Sequence, residues 1–124
     1  MTTIAVVDYG CGNLRSVSQA VKSAAAPADT VIVTHEAAAI DAADRVIFPG
    51  QGAIGDCMVH LNDSGLKEAV LRALANKPVL AVCIGMQMLF EASDEGGGSA
   101  ALGLLKGKVI RFPEAALVPA QGAR

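Results

Sequence analysis

The chain has 124 residues, a length typical of one domain that buries a sizeable core. Hydrophobic residues make up 52% of it, but no apolar run approaches the length of a membrane span. The formal net charge of −2 gives no basis for binding nucleic acid or an anionic membrane. We therefore expect neither nucleic acid nor a membrane as a partner.

Three cysteines form no CxxC pair, which argues against a disulfide framework or a zinc site. We expect Cys11 and Cys57 to be unreactive, and we expect no metal and no cofactor. The N-terminus MTTIAVVDYG lacks a basic region, so we expect no signal peptide. These features together predict a protein of the reducing cytoplasm.

Short apolar strands alternate with turns and helices along the first part of the chain. Leu14, Val17, Val21 and Ala24 recur at helical spacing and predict an amphipathic helix. The predicted elements are a strand at 4–7, a glycine turn at 9–13, the helix at 14–24, strands at 31–33 and 46–48, and a short helix or irregular connection at 36–43.

The second part begins with the clearest helical pattern of the chain and ends in segments of weaker character. The predicted elements are a helix at 66–74, a buried strand at 79–82, a helix at 86–90, a flexible loop at 91–99, a further strand or hairpin from 102–105 and 109–112, and a weakly structured end at 113–124.

Strands that lack period-2 alternation and alternate with helices predict a parallel sheet covered on both faces. We therefore expect an α/β fold with a flavodoxin-like, doubly wound sheet. Function in such sheets gathers at the carboxyl ends of the strands. The segments that follow strands are 8–13, His35, 49–52 and Cys83.

The segment from Pro78 to Phe90 has the layout of a nucleophile elbow, in which a strand, a tight turn and a helix place a reactive side chain at the corner. Cys83 stands at that corner, between the small residues Ala81 and Gly85. A helix N-terminus favours a negatively charged sulfur and offers N–H groups to a developing oxyanion. The alternative is a small buried hydrophobe at a strand end, where a free cysteine is often found.

Three further features each have a functional and a plain interpretation. Gly10-Cys11-Gly12 follows a strand as in a dinucleotide fingerprint, but Arg15 takes the third glycine position, so a tight turn is favoured. The 49–52 loop is either a turn or a set of backbone N–H groups for an oxyanion beside Cys83. His35 and His60 are candidate bases for the thiol, and each is also explained as a surface or packing residue.

The chain resembles class I glutamine amidotransferases, and among them most closely the glutaminase subunits of imidazole glycerol phosphate synthase. Five stretches carry the resemblance and occur in the family's order. They are VDYGCGNLRSV at 7–17, FPGQGA at 48–53, PVLAVCIGMQ at 78–87, FEASDEG at 90–96 and GLLKGKV at 103–109.

The resemblance implies a truncated version of the family's fold and a set of residue roles. Cys83 would attack the glutamine amide, form a thioester and release ammonia. The implied oxyanion hole is Gly50, Gln51, Gly52 and Ile84; the implied glutamine-binding residues are Gln87 and Glu95; and the implied partner-facing turn is Gly10, Gly12 and Asn13. The implied partner is a (β/α)₈ cyclase subunit, which receives the ammonia through a tunnel.

The chain departs from the family pattern near its end. The family's catalytic His and Glu come late, whereas none of the residues after Cys83 is a histidine. After Val118-Pro119 the family continues His-Met-Gly-Trp-Asn, whereas this chain reads AQGAR. We therefore expect a partial amidotransferase domain at 1–112 with a divergent tail at 113–124, and a site that is inactive alone.

Two functions remain open from the sequence. One is a glutaminase half-domain, active when another chain supplies the base. The other is a non-catalytic, self-associating remnant, because a shortened sheet exposes an edge strand and an apolar face; this predicts a homo-oligomer. A different cysteine-elbow family is disfavoured by Gly85-Met86-Gln87 and by the 49–52 loop.

Overall fold

Four parallel strands form the central sheet of the structure, a computed structural model that describes residues 1–113. They are β1 (Thr3–Val7), β2 (Thr30–Thr34), β3 (Arg45–Phe48) and β4 (Val79–Ala81). Their order across the sheet is β2-β1-β3-β4, and every pairing is parallel. The predicted α/β class and the mostly parallel, flavodoxin-like sheet are thereby confirmed.

Helices cover the two faces of this sheet unequally. Among residues 1–113, helix α1 (Leu14–Ala24) is the one that packs on the first face, where its apolar stripe meets Ile4, Val6 and Ile47. Three helices belong to the larger apolar cluster on the other face: α2 (Ala37–Ala42), α3 (Ile54–Ser64) and α4 (Lys67–Asn76). Successive side chains of a strand point to opposite faces, so Val6 joins the first cluster and Val7 the second.

A second, smaller sheet follows the short helix α5 (Ile84–Gln87). It contains β5 (Phe90–Ser93), β6 (Ser99–Ala100) and β7 (Leu105–Val109) in the order β6-β5-β7. A 3₁₀ turn at Glu95–Gly97 connects β5 to β6.

The sequence assignment of this region was wrong in three places. The helix expected at 86–90 ends at Gln87; β5, β6 and the 3₁₀ turn replace the flexible loop expected at 91–99; and the last strand spans Leu105–Val109 rather than 109–112. Backbone pairing between distant segments explains the difference. The Leu102 N–H donates to the Met88 carbonyl at 2.9 Å, and the Leu105 N–H donates to the Leu89 carbonyl at 2.8 Å, so the chain leaves the helix to form a sheet.

The argument against a disulfide, drawn from the cysteine count and spacing, was also wrong. A disulfide joins them although they are 46 residues apart in the sequence, with their Cα atoms 5.5 Å from each other. The pairing arises because α3 carries Cys57 against the turn that follows β1. Such a contact between distant elements leaves no CxxC spacing in the sequence.

The divergent tail predicted at 113–124 lies outside the described residues except for Pro113. The division into 1–112 and 113–124 therefore stays a prediction. Within residues 1–113, none of the helices has the length and apolar character needed to cross a membrane.

Candidate functional site

Three adjacent strands deliver the candidate residues to one edge of the sheet. Strands β1, β3 and β4 are neighbours and run in the same direction, so the segments that follow them meet at their carboxyl ends. These segments begin at Asp8, Pro49 and Val82. The topology therefore brings together the glycine turn, the 49–52 loop and Cys83, as the sequence predicted.

Cys83 occupies a strained backbone position at the corner between β4 and α5. Its φ of +58° is the only positive value of a non-glycine residue among residues 1–113. Such a conformation costs free energy and persists only where the surroundings enforce it. The cysteine is exposed and unpaired, so the elbow presents a free thiol at the surface of the site. This is the geometry expected for a nucleophile elbow.

The elbow and the 49–52 loop are packed backbone to backbone. A Cβ atom added at Gly50 would lie 2.6 Å from the Gly85 nitrogen, and one added at Gly85 would overlap the Phe48 carbonyl oxygen. The Ile84 N–H donates to the Gly50 carbonyl at 3.3 Å. The Ile84 N–H beside the thiol is therefore already hydrogen-bonded. An oxyanion could accept from it only after displacing the Gly50 carbonyl.

On the far side of the loop, the Tyr9 hydroxyl bonds one of its other carbonyls and the Cys11–Cys57 disulfide lies against another. The Tyr9 hydroxyl donates to the Pro49 carbonyl at 2.6 Å. The sulfurs of Cys11 and Cys57 lie 3.2 and 3.4 Å from the Gln51 carbonyl oxygen. The loop is thus held by β1 and its following turn as well as by the elbow.

Gln87 and Glu95, the two predicted glutamine-binding residues, line one cleft of about 450 Å³. Asp94 and Arg111 line it too, so the cleft carries both negative and positive side chains. One Glu95 carboxylate oxygen accepts a hydrogen bond from the Ile54 N–H at 3.0 Å, which ties the 3₁₀ turn to the start of α3. Acidic groups are favourable at this end of a helix.

The predicted partner-facing turn is partly exposed and lies beside the loop. Gly10 and Gly12 have φ values of +93° and +123°, which favour glycine. A Cβ at Gly12 would lie 3.3 Å from the Pro49 Cβ. The Asn13 side chain accepts the Ser16 N–H and caps α1. Among residues 1–113, no group of three or more His, Cys, Asp or Glu side chains could hold a metal ion.

The two histidines differ in their position relative to the candidate site. His35 follows β2, which is separated from β4 by two strands, so it lies roughly 14 Å across the sheet from the elbow strand. His60 lies on α3, and its Nδ1 would be 3.1 Å from a Cβ added at Gly10. It therefore packs against the glycine turn.

Sequence reasoning missed the hydrogen bond from Tyr9 and the pairing of Cys11 with Cys57. The hydrogen bond from Tyr9 had one available signal in the sequence. A tyrosine comes two residues after a strand that ends beside the candidate loop. The disulfide had no such signal, since it depends on how α3 packs.

Comparison with known proteins agrees with this geometry. The family model for class-I glutamine amidotransferases matches residues 5–116. The imidazole glycerol phosphate synthase subunit HisH of Aromatoleum aromaticum is 52% identical over 124 residues, which are 100% of this chain and 58% of that protein. The HisH subunit of Methylococcus capsulatus is 52% identical over 114 residues, 92% of this chain and 52% of that protein.

A third relative, the HisH subunit of Nitrosospira multiformis, is 49% identical over 124 residues, 100% of this chain and 58% of that protein. The chain thus spans a little over half the length of the relatives it matches. The match to the family model extends over most of the chain and includes the elbow, the 49–52 loop and the glycine turn. The chain belongs to the class-I glutamine amidotransferase family.

Proposed function

We propose that this chain carries the nucleophile half of a glutamine-hydrolysing site that supplies ammonia to imidazole glycerol phosphate synthase in histidine biosynthesis. The observation that carries the proposal is Cys83, an exposed thiol on a positive-φ elbow packed directly against a glycine-rich loop. The sequence identity of 52% and 49% to two HisH subunits supports the assignment to histidine biosynthesis.

In the proposed reaction the Cys83 thiolate attacks the side-chain amide carbon of glutamine. A sulfur–carbon bond forms, the carbonyl π electrons move onto oxygen, and collapse of that oxyanion expels the amide nitrogen, which takes a proton and leaves as ammonia. The resulting thioester is then hydrolysed to glutamate. We assign the oxyanion to the Ile84 N–H and the backbone of Gly50, Gln51 and Gly52, once the Gly50 carbonyl has turned away from Ile84.

Turnover needs a general base, and we propose that this chain alone is inactive in steady state for want of one. His35 follows the opposite edge strand, and the His60 ring packs on Gly10 of the glycine turn, so we assign neither as the base. A base from another polypeptide segment would complete the site. Labelling by an alkylating analogue needs no such base, because it stops after one alkylation and no proton has to be delivered to a leaving amine.

The cleft beside the elbow suits a free amino acid. Glutamine at neutral pH carries an ammonium and a carboxylate on its Cα. Glu95 and Asp94 offer negative charge to the ammonium, and Arg111 offers positive charge to the carboxylate. Cys83 itself does not line the cleft, but Gln87 does, and it lies on the helix that begins directly after Cys83; this helix connects the cleft to the thiol.

The chloromethyl ketone analogue of L-glutamine tests the proposal. The Cys83 sulfur displaces chloride from this reagent, which leaves one alkyl group on the chain. We expect saturable labelling of Cys83, protection by L-glutamine, and no steady-state release of ammonia from L-glutamine by the chain alone. Labelling no faster than that by the D-enantiomer would contradict a glutamine site, and steady glutamine hydrolysis would contradict the missing base.

We expect Glu95→Gln to raise the inhibition constant KI of this reagent by about tenfold to a hundredfold, the usual effect of losing one hydrogen bond to a charged group. Glutamine keeps an oxygen that can accept the Ile54 N–H, so the change removes the negative charge and leaves the local structure. The measurement is the concentration dependence of Cys83 labelling, followed by mass spectrometry.

Glu91→Gln is the matched control for this change. Its carboxylate accepts the Gly107 N–H at 2.9 Å, a bond of the same kind as that of Glu95, but Glu91 does not line the cleft. We expect its KI to equal that of the unchanged chain. Equal KI values for the two variants would remove Glu95 from the binding site.

We further propose the (β/α)₈ cyclase subunit as the partner and the turn of Gly10, Gly12 and Asn13 as the surface that faces it. The support is the position of the turn, which is partly exposed and touches the loop beside the thiol. Localisation in the cytoplasm stays a prediction from the sequence.

A second candidate function is self-association through the open face of the sheet. A groove of about 730 Å³ lies on the α1 side, where β4 is an edge strand among residues 1–113 and Leu80 is 61% exposed. Asp29 and Arg45 both line it, so a second copy turned about a twofold axis could place opposite charges against each other. We propose a homodimer in which the two β4 edges and grooves meet.

We expect the chain to sediment as a dimer and Leu80→Asp to sediment as a monomer, because the variant places a charge in the apolar contact. Leu104→Asp is the matched control, since Leu104 is 48% exposed and lies outside the groove. Analytical ultracentrifugation gives the masses. A monomeric unchanged chain at high concentration, or equal masses for the two variants, would contradict the dimer.

A further inference from the structure

The side chain of Tyr9 is a buried polar group that the proposed reaction does not use. Tyr9 comes two residues after the end of β1 and is only 3% exposed. Its ring stacks on Phe48 with 5.2 Å between the ring centroids. The ring is therefore fixed between the sheet and the helices, and the direction of its hydroxyl is fixed with it.

The hydroxyl is aimed at the loop beside the thiol. It donates to the Pro49 carbonyl at 2.6 Å, and the Met88 sulfur lies 3.5 Å from it on another side. A phenol has one proton to donate, and the carbonyl is the stronger acceptor of the two. Burial raises the pKa of the Tyr9 hydroxyl above its ordinary value, so this proton stays in place at neutral pH.

Holding the Pro49 carbonyl also holds the next N–H group. The Pro49 carbonyl and the Gly50 N–H belong to one planar peptide unit, so a hydrogen bond to the first sets the direction of the second. The position is tightly confined, because a Cβ at Gly50 would lie 3.0 Å from the Tyr9 hydroxyl oxygen and 2.6 Å from the Gly85 nitrogen. The peptide is thus enclosed between Tyr9 and the elbow.

We propose that Tyr9 is a positioning residue for the oxyanion loop: by bonding the Pro49 carbonyl, its hydroxyl fixes the loop backbone that receives the oxyanion when Cys83 reacts. This inference rests on the proposed glutaminase function. Tyr9 does not touch the reacting atoms, so it acts on the rate of bond formation and not on the binding of the amino-acid end of the substrate.

Tyr9→Phe tests this role, because phenylalanine keeps the stacked ring and removes only the hydroxyl. The oxyanion loop would bind the ketone oxygen of the chloromethyl ketone of L-glutamine and so activate the neighbouring carbon from which the sulfur displaces chloride. We therefore expect the maximal rate kinact to fall by about tenfold to a hundredfold, the scale of a small misplacement at a reacting centre. We expect KI to stay within about twofold, since the cleft of Gln87 and Glu95 is unchanged. We also expect an unchanged rate with iodoacetamide, which reports only the accessibility and ionisation of the thiol.

Ser18→Ala is the control for loss of a buried hydroxyl in general. Its hydroxyl donates to the Arg15 carbonyl at 3.1 Å within α1, away from the loop. We expect no change in kinact for this variant. As a second measurement on both variants, hydrogen exchange of the Gly50 and Gln51 amides should be faster in Tyr9→Phe and unchanged in Ser18→Ala.

The outcomes separate this inference from the proposal on which it rests. An unchanged kinact in Tyr9→Phe, or equal losses with the ketone and with iodoacetamide, would overturn the positioning role while leaving the glutamine site intact. If the unchanged chain shows no preference for the L-glutamine analogue, the proposed function falls and the role of Tyr9 falls with it.

Discussion

Gly85→Ala is expected to lower the free energy of unfolding by about 3 kcal/mol or more, which is a large part of the stability of a domain this size. The added methyl group would overlap the Phe48 carbonyl oxygen and lie 3.0 Å from the carbonyl carbons of Phe48 and Pro49. All of these are backbone atoms at the end of a central strand, so they cannot move aside without shifting the sheet. Urea unfolding followed by circular dichroism gives the change.

Gly55→Ala provides the matched control for this substitution. A Cβ at Gly55 meets only the Ser99 hydroxyl oxygen, at 3.1 Å, and that side chain can rotate. Alanine is also favoured over glycine inside a helix such as α3 by about 1 kcal/mol. We expect its unfolding midpoint to be equal to or above that of the unchanged chain. Equal midpoints for the two alanine variants would show that the elbow is not packed as described.

Cys83→Ser is expected to reduce labelling by the chloromethyl ketone of L-glutamine by at least about a thousandfold, as nucleophile removal does in related triad enzymes. A serine hydroxyl is a poor nucleophile without an adjacent base. The free energy of unfolding should change by less than about 0.5 kcal/mol, because the side chain is exposed. Intact-mass spectrometry measures the label, and thermal unfolding verifies the fold.

Peptide mapping decides which residue carries the label. Cys83 is the single free cysteine, because Cys11 and Cys57 are joined. We expect one label per chain, on the peptide that contains Cys83. Labelling of the serine variant at the rate of the unchanged chain, or a label mapped elsewhere, would exclude Cys83 as the nucleophile.

The parallel sheet could be predicted from the sequence because each of its strands is a short apolar run closed by a turn residue. In the central strands, at 4–7 and 46–48, such a run is buried on both faces and has a local signature. The prediction of a buried strand at 79–82 was wrong, because β4 lies at the edge of the sheet and leaves Leu80 61% exposed. The apolar stripe of α1 is also a pattern of residues close in the chain, and the helix predicted from it at 14–24 has the observed bounds. Because strands alternating with helices predict a parallel sheet, the position of Cys83 after a strand predicted that it lies at the carboxyl edge of the sheet.

The small second sheet could not be predicted from local pattern. Met88 and Leu89 favour a helix, but their carbonyls accept hydrogen bonds from Leu102 and Leu105, which lie more than ten residues further along the chain. A turn of helix that is only four residues long is weak, so pairing with a distant segment prevails. Local pattern also could not predict how the cleft is built. Glu95 was predicted to bind substrate, but its hydrogen bond from the Ile54 N–H joins residues 41 positions apart.

The sequence by itself determined the four strands of the parallel sheet, helix α1, the elbow at Cys83 and the family, because each depends on residues adjacent in the chain. Only the tertiary structure decided how the loop is held. The Tyr9 bond to Pro49 spans 40 residues, and the pair of Cys11 and Cys57 spans 46, so neither leaves a local pattern. The elbow supplies the thiol, whereas contacts between distant residues hold the backbone beside it, and these exist only once the sheet has formed.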